Sequence, residues 1–350
     1  MFTMKNDGFF TPVTGLEMMD KLGLGITFAL TTESRRWPWM PEPEGNKPMD
    51  SELCFGQPKI EERHFKAAAM KGFDSYRMCV TWTPHMDEHA VIGDEWLDRI
   101  QQLADWALGA GLNVVINTMH EEELYWLIRD GEYEAAKKHL TALWSQIAER
   151  FKEHPNTLIF EIMNEPNLLE HYQGAGEWIT VNGQISRKLC ETVNALNKDA
   201  LDVIRQSGGN NDKRVVMFCV PGGSPLALPY MEVPKEDPHI MVGVFGYDDS
   251  NSLEEGILPP MRDWLAKGVA VVNKEDNCWS DVAHTKKHYE LLAGMGVPSF
   301  YFSSFYFSAI GESGSKDIGF LDLTTGEWHN KPLLELFFAA YGKTPGSDLV

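Results

Sequence analysis

An Asn-Glu pair at the end of an apolar run is the feature of this sequence best suited to chemistry. The run from Ile159 to Met163 is typical of a buried strand, and Pro166 ends it directly after Asn164 and Glu165. Parallel barrels keep their reactive groups at the carboxyl ends of their strands, so Glu165 is a candidate general acid or base. A strand-end salt bridge would use the same carboxylate, and the local run alone does not separate these two roles.

A second carboxylate, Glu275, follows another apolar run that begins at Ala270. Two carboxylates that face each other at about 5–5.5 Å can cleave a glycosidic bond with retention, one as nucleophile and one as acid/base. Arg77, at the end of a third run, would hold the nucleophile ionised by lowering its pKa, or would form a structural ion pair. Lys274 is a candidate Schiff-base lysine if it lies in an apolar pocket. Because strand residues alternate faces, the competing expectation is that Lys274 points outward, toward Asp276.

These residues need a scaffold of strands, and the chain alternates short apolar runs with longer amphipathic stretches. The predicted strands are Leu24–Phe28, Ser75–Val80, Asn113–Asn117, Thr157–Ile162, Arg214–Val220, His239–Val244, Ala270–Asn273 and Ser299–Phe302. The predicted helices are Lys59–Lys71, Glu95–Gly109, Ala135–Glu153, Ile185–Ser207, Met261–Ala266, Val282–Gly294 and Lys331–Tyr341. This pattern predicts an α/β fold, a (β/α)8 barrel in a single domain over residues 1–350, with a doubly wound open sheet as the alternative. Long loops are expected after strands one and four, over Thr31–Gln57 and Leu168–Gly183.

The composition argues against several classes of function. The 51 Asp and Glu residues outnumber the 31 Lys and Arg residues, which disfavours nucleic acid as a partner. No apolar run reaches the ~18 residues of a membrane span, and the N-terminus has no signal-peptide pattern, so the location stays open. The five scattered cysteines predict neither a disulfide framework nor a zinc site. The spacing of the histidines is only weak evidence for a metal site. We therefore expect a monomer that contains no cofactor and no metal.

Four segments resemble glycoside hydrolase family 5, the cellulase family. They are Gly72–Trp82, Val115–Glu121, Ile162–Pro166 and Gly268–Glu275. The resemblance implies a (β/α)8 barrel and a retaining β-glycosidase, most similar to an endo-β-1,4-glucanase. Glu165 is then the acid/base, Glu275 the nucleophile and Asn164 the donor to the sugar's 2-hydroxyl. Tyr247 is expected to bond the nucleophile, and Arg77 to tune it.

The remaining substrate-binding candidates mostly depart from the family pattern. Met119 replaces the first His of a strand-three pair, of which His120 is the second. Phe245 replaces a strand-six His, and Phe302 replaces a strand-eight Trp. Trp82, at the end of strand two, completes the set. A pocket without these donors leaves buried sugar hydroxyls unpaired at roughly 1–3 kcal/mol each, so we expect sugar hydrolysis to be weak.

Two other functions fit the altered pocket. In an engineered or diverged barrel, a desolvated Glu could take a proton from a carbon acid, or Lys274 could form a Schiff base with a carbonyl substrate. The substrate would then be a small apolar molecule rather than a β-glucan. A carbohydrate-binding relic without turnover is the non-enzymatic alternative.

Overall fold

Eight parallel strands close into a barrel within the residues that the computed structural model describes, which are 10–35, 52–169, 178–246, 253–276, 282–303 and 319–348. The strands are β1 Leu24–Phe28, β2 Ser75–Met78, β3 Asn113–Asn117, β4 Leu158–Glu161, β5 Val216–Cys219, β6 Ile240–Phe245, β7 Ala270–Asp276 and β8 Ser299–Ser303. Each strand pairs in parallel with its neighbours in chain order, and β8 pairs with β1. The predicted (β/α)8 fold is confirmed, and the open-sheet alternative is wrong.

Helices surround the barrel. They are α1 Gly15–Leu22, α2 Glu62–Lys71, α3 Asp94–Gly109, α4 Glu122–Asp130, α5 Tyr133–Phe151, α6 Arg187–Gln206, α7 Leu258–Ala266, α8 Val282–Gly294 and α9 Lys331–Ala340. The sequence did not predict α1 or α4. The loop predicted over Leu168–Gly183 contains part of a small hairpin, in which Thr180–Val181 pairs with Gln184–Ile185. None of the helices in the described ranges combines the length and hydropathy that a membrane crossing requires.

The first helix closes the amino-terminal end of the barrel. Thr14 caps α1, accepting a hydrogen bond from the Glu17 N–H while the Glu17 carboxylate accepts one from the Thr14 N–H. Met18 and Leu22 are fully buried and pack with residues from the barrel strands. Gly15 permits this close packing, because a Cβ there would lie 2.1 Å from the Ile240 carbonyl oxygen.

Alternation along the strands separates an outer core from the barrel interior. On β2, Tyr76 and Met78 belong to the core between strands and helices, whereas Arg77 points inward. An apolar interior layer includes Val115, Ile159, Met217, Met241, Val272 and Phe300. Above this layer, toward the carboxyl ends of the strands, the inward side chains become charged, and the candidate site begins there.

Candidate active site

A fully buried ion-pair cluster crosses the barrel interior. The Arg77 guanidinium donates from Nε to Glu161 Oε2 at 2.7 Å and from Nη2 to Glu161 Oε1 at 2.8 Å. Lys274 Nζ donates to the same Glu161 Oε1 at 2.6 Å. These two cations hold the pKa of Glu161 below its ordinary value despite its burial. Because Arg77 and Lys274 are two cations and Glu161 is one carboxylate, the three groups together carry a net positive charge. Other hydrogen-bond acceptors can therefore bind to the same two cations.

Arg77 also donates hydrogen bonds to two of the predicted site residues. Its Nη1 donates to Glu275 Oε2 at 2.8 Å, and its Nη2 donates to Asn164 Oδ1 at 2.7 Å. Arg77 therefore forms a structural ion pair with Glu161 and also lies beside Glu275. The Asn164 side chain is buried, and its Nδ2 has no hydrogen-bond partner among the described residues. A buried amide donor beside two carboxyl groups is suited to a ligand's oxygen.

A β-bulge in β7 turns two neighbouring side chains inward. On the adjacent β6, Val244 pairs with Asn273, but the next residue, Phe245, pairs with Glu275, so Lys274 is the extra residue. Lys274 and Glu275 both reach the barrel interior, where they contact Glu161 and Arg77. The expectation that Lys274 points outward is therefore wrong, because it assumed regular alternation.

The Lys274 ammonium is held by acceptors on β4 and the residues that follow it. Besides Glu161, it donates to the Asn164 carbonyl oxygen at 2.5 Å and the Met163 carbonyl oxygen at 3.3 Å. Its stem passes Gly243, where a Cβ would lie 2.7 Å from Lys274 Cδ. These three acceptors match the number of N–H donors on an ammonium.

Glu165 lies next to this cluster in a different electrostatic environment. Burial and the nearby negative charge of Glu275 raise the pKa of the Glu165 carboxyl to about 8. The Glu165 backbone N–H donates to the Tyr125 hydroxyl oxygen at 3.1 Å, which fixes the backbone after β4. At neutral pH this carboxyl carries a proton, whereas Glu275 has the Arg77 guanidinium as its counter-ion.

The other predicted substrate-binding residues lie around this centre. His120 is buried, and its Nδ1 donates to the Glu33 carbonyl oxygen at 2.8 Å. Burial lowers its pKa to about 4, so it is neutral. Met119 and Phe245 are both buried, and the Phe245 ring centroid lies 5.2 Å from Lys274 Nζ. Phe302 is half-buried against a small apolar cluster formed by Ala29, Leu30 and Phe55.

The remaining predicted residues are Trp82 and Tyr247. Trp82 does not reach the site, because its indole is fully buried in the outer core and donates to the Asn117 carbonyl oxygen at 2.9 Å. Its position after strand two suggested a place in the pocket, but the chain turns it toward the helices. Tyr247, predicted to bond the nucleophile, lies outside the described residues.

Two buried carboxyl groups that interact with Arg77 or Glu275 were not predicted. Glu161 was read as part of an apolar run, although a charged residue inside such a run was itself a signal. Glu33 follows β1, and its carboxylate accepts hydrogen bonds from the backbone N–H groups of Leu30 and Thr31. Burial is the main cause that raises the pKa of Glu33 to about 7, and the charge of Glu275 adds to it. Among the described residues, no group of three or more His, Cys, Asp or Glu side chains could hold a metal ion.

Comparisons with known proteins agree with this fold and identify a family. The sequence matches the family model described as Cellulase (glycosyl hydrolase family 5) over residues 42–296. Endoglucanase A from Ruminococcus albus is 31% identical over 315 residues, which cover 79% of this chain and 82% of that protein. Endoglucanase A from Clostridium longisporum is 28% identical over 84% of this chain and 60% of that protein.

Solved structures give the same fold. The structure described as a GH5-4 broad specificity endoglucanase from Clostridium longisporum has a TM-score of 0.80 and 23% identity, covering 95% of this chain and 99% of that one. A GH5 family lichenase from Caldicellulosiruptor sp. F32 has a TM-score of 0.81 and 21% identity, covering 95% and 97%. At these identities the likeness establishes the fold alone.

Proposed function

Since the chain belongs to glycosyl hydrolase family 5, we propose that it hydrolyses a β-1,4-linked glucan by a retaining double displacement. The observation that carries this proposal is the contrast between the two site carboxyls. Glu275 is paired with the Arg77 guanidinium, whereas burial and the charge of Glu275 raise the pKa of Glu165 to about 8. Two titratable groups with environments that differ in this way suit a nucleophile and an acid.

In the first step, a Glu275 carboxylate oxygen attacks the anomeric carbon while Glu165 gives its proton to the departing glycosidic oxygen. The bond to the leaving sugar breaks as the bond to Glu275 forms, and a glycosyl-enzyme results. Arg77 stabilises the carboxylate in the correct orientation, since one guanidinium edge is already fixed on Glu161. Asn164 Nδ2, which has no hydrogen-bond partner among the described residues, supplies a donor for the sugar's 2-hydroxyl.

In the second step, Glu165 has lost its proton and acts as a base. It removes a proton from a water molecule, whose oxygen attacks the anomeric carbon and displaces Glu275. The two inversions give net retention. Once Glu275 is esterified, its negative charge is gone, and the pKa of Glu165 falls because that charge was one cause of its elevation.

We further propose that hydrolysis is slow and sugar affinity low. Met119 and Phe245 present apolar groups where donors to sugar hydroxyls are expected, and Phe302 presents a smaller ring than a Trp. Each buried hydroxyl without a partner costs roughly 1–3 kcal/mol. These substitutions therefore weaken sugar binding but do not remove either of the two carboxyl groups.

The contacts of Lys274 disfavour Schiff-base chemistry. A nucleophilic amine must be deprotonated and accessible, but this side chain is fully buried and its Nζ donates to three acceptors. Incubation with a 1,3-diketone should therefore give no vinylogous amide absorbance. Formation of that chromophore, lost in Lys274→Met, would favour the amine mechanism instead.

The proposal is tested by reducing-sugar release from a soluble β-glucan and by azide rescue. Glu275→Gly and Glu165→Gly should both lose hydrolysis of the glucan. With a 2,4-dinitrophenyl cellobioside and azide, Glu275→Gly should yield the α-glycosyl azide, because azide replaces the carboxylate on its own face. Glu165→Gly should yield the β-azide, since azide then attacks the glycosyl-enzyme from the water's side.

Glu121→Gln is the matched control, since Glu121 is also buried near the carboxyl ends of the strands. Its carboxylate accepts hydrogen bonds from the Trp82 and Thr83 backbone N–H groups, and burial raises its pKa to about 7. The folded fraction of this variant should keep its activity. Wild-type protein that binds cellotriose without any turnover would instead identify a carbohydrate-binding relic.

A further inference from the structure

The β7 bulge leaves two polar side chains on the outer face of the barrel. Asn273 and Asp276 flank the inward pair Lys274 and Glu275, and Asn273 Nδ2 donates to Asp276 Oδ2 at 3.2 Å. His288, on α8, places its Nε2 2.5 Å from the same Asp276 oxygen. All three side chains are buried, with Asp276 only 3% and His288 5% exposed.

Hydrogen bonds connect this polar group to β8 and to Tyr341, which directly follows α9. Asn273 Nδ2 also donates to Ser299 Oγ on β8 at 3.1 Å, and Ser299 Oγ lies 2.6 Å from the Tyr341 hydroxyl. The Tyr341 hydroxyl in turn donates to the Val297 carbonyl oxygen at 2.9 Å. These hydrogen bonds therefore hold the irregularly paired segment of β7 from the outer face of the barrel.

The backbone at Gly246, directly after β6, packs against Asn273 and Asp276. The Gly246 N–H donates to the Glu275 carbonyl oxygen at 3.1 Å. A Cβ at Gly246 would lie 2.7 Å from the Asn273 amide atoms and 2.8 Å from Asp276 Oδ2. A side chain at this position would have to displace the Asn273 amide or the Asp276 carboxylate, so the backbone at Gly246 packs closely against both groups.

We propose that Asn273, Asp276 and His288 form a clamp that positions the nucleophile Glu275, an inference that rests on the proposed function. The bulge turns Glu275 toward Arg77, and regular alternation from Asn273 onward would instead place Glu275 on the outer face. The clamp keeps its two outward residues joined across the bulge, which holds Lys274 and Glu275 inward. A misplacement of about 1 Å at a reacting atom can slow a reaction about 100-fold.

The clamp residues act through Glu275 and do not touch the substrate, so the test must isolate the attack by Glu275. A 2,4-dinitrophenyl 2-deoxy-2-fluoro-β-cellobioside serves this purpose, because its leaving group needs no proton from Glu165. Asp276→Ala should lower the maximal inactivation rate by about 100-fold while the inhibitor's dissociation constant changes less than twofold. Asp276→Asn keeps an acceptor for Asn273 and should restore most of the rate.

Asn197→Ala is the matched control. Asn197, on α6, is fully buried and bridges the backbone of Cys219 on β5, accepting from its N–H and donating to its carbonyl oxygen. This variant removes an outer-face polar link of the same kind from a strand without the bulge. It should lose thermal stability but keep the inactivation rate.

His288→Phe provides a second clamp variant in case Asp276→Ala does not fold, and it should also slow inactivation. Equal rates in wild type and the folded clamp variants would overturn the clamp alone, as would an equal loss in Asn197→Ala. An unchanged defect in Asp276→Asn would also overturn it. Failure of the wild-type protein to react at all would overturn the proposed function as well as the clamp.

Discussion

Replacing the buried lysine tests the charge arrangement of the barrel. Lys274→Met keeps most of the side-chain volume beside Gly243 but removes the ammonium. The Met163 and Asn164 carbonyl oxygens then lose a donor, and Glu161 keeps only its two bonds from the Arg77 guanidinium. Removing one partner of a buried ion pair costs about 3–5 kcal/mol. We expect a loss of this size, a large part of the ~5–15 kcal/mol that stabilises a typical protein.

The same change should move the pH dependence of catalysis. The positive charge of Lys274 lowers the pKa of Glu165, against the larger effects of burial and Glu275 that raise it to about 8. Without that charge the pKa of Glu165 rises further. The decline of kcat/KM at high pH, which reports loss of the acid's proton, should shift to higher pH in Lys274→Met.

Urea unfolding and the pH profile of kcat/KM measure these two effects, with Lys71→Met as the control. Lys71 is also buried, but it bonds Gly346 and a half-exposed Asp348 outside the barrel. This control should lose less stability and leave the pH profile unchanged. A loss below about 1 kcal/mol in Lys274→Met, or a shift of its profile to lower pH, would refute the charge arrangement.

Four further predictions concern the individual site residues and Trp82. Wild-type kcat/KM should decline above about pH 8, because Glu165 must hold a proton, and a profile flat to pH 10 would contradict this. The folded-state pKa of Glu165 is raised from 4.5 to about 8, so its stabilising contribution is lost as pH rises through that window. In urea unfolding, the stability of Glu165→Gln relative to wild type should therefore rise by up to about 1.4 kcal/mol per pH unit between these two values and should not vary with pH below 4.5. Phe245→His should raise kcat/KM on a soluble β-glucan by about five- to 150-fold, the equivalent of 1–3 kcal/mol, and an unchanged value would show that the lost donor does not limit activity. Trp82→Ala should cost about 3–5 kcal/mol of stability without changing the KM of the folded enzyme, whereas a raised KM at full stability would return Trp82 to the binding site.

The strands were predictable because each is an apolar run with its own boundaries. β1 and β3 begin and end at the predicted residues, and most other boundaries differ by one or two. β7 runs three residues beyond its predicted end at Asn273, because Lys274, Glu275 and Asp276 continue it. Their charges resemble a loop in the sequence, but each has a buried partner that another strand or helix supplies.

The identity of the site carboxyls followed from the sequence, but their partners did not. Glu165 and Glu275 were named from strand ends and family resemblance, which need no knowledge of register. The role of Glu161 depends on Arg77 and Lys274 arriving from two other strands, 84 and 113 residues away along the chain. The β7 bulge is likewise a property of strand pairing, so the inward orientation of both Lys274 and Glu275 was not visible in the sequence. α4 was not predicted, although its acidic first turn, Glu122 and Glu123, is typical of a helix N-terminus.

The central claim is that Glu275 becomes covalently attached to the sugar. Trapping the wild-type protein with the fluorinated cellobioside, followed by proteolysis and peptide mass spectrometry, tests it most directly. Our account predicts one fluorocellobiosyl group per protein, carried by Glu275, and no trapping in Glu275→Gln. An adduct on another residue, or glucan hydrolysis with no adduct and inversion at the anomeric carbon, would contradict it.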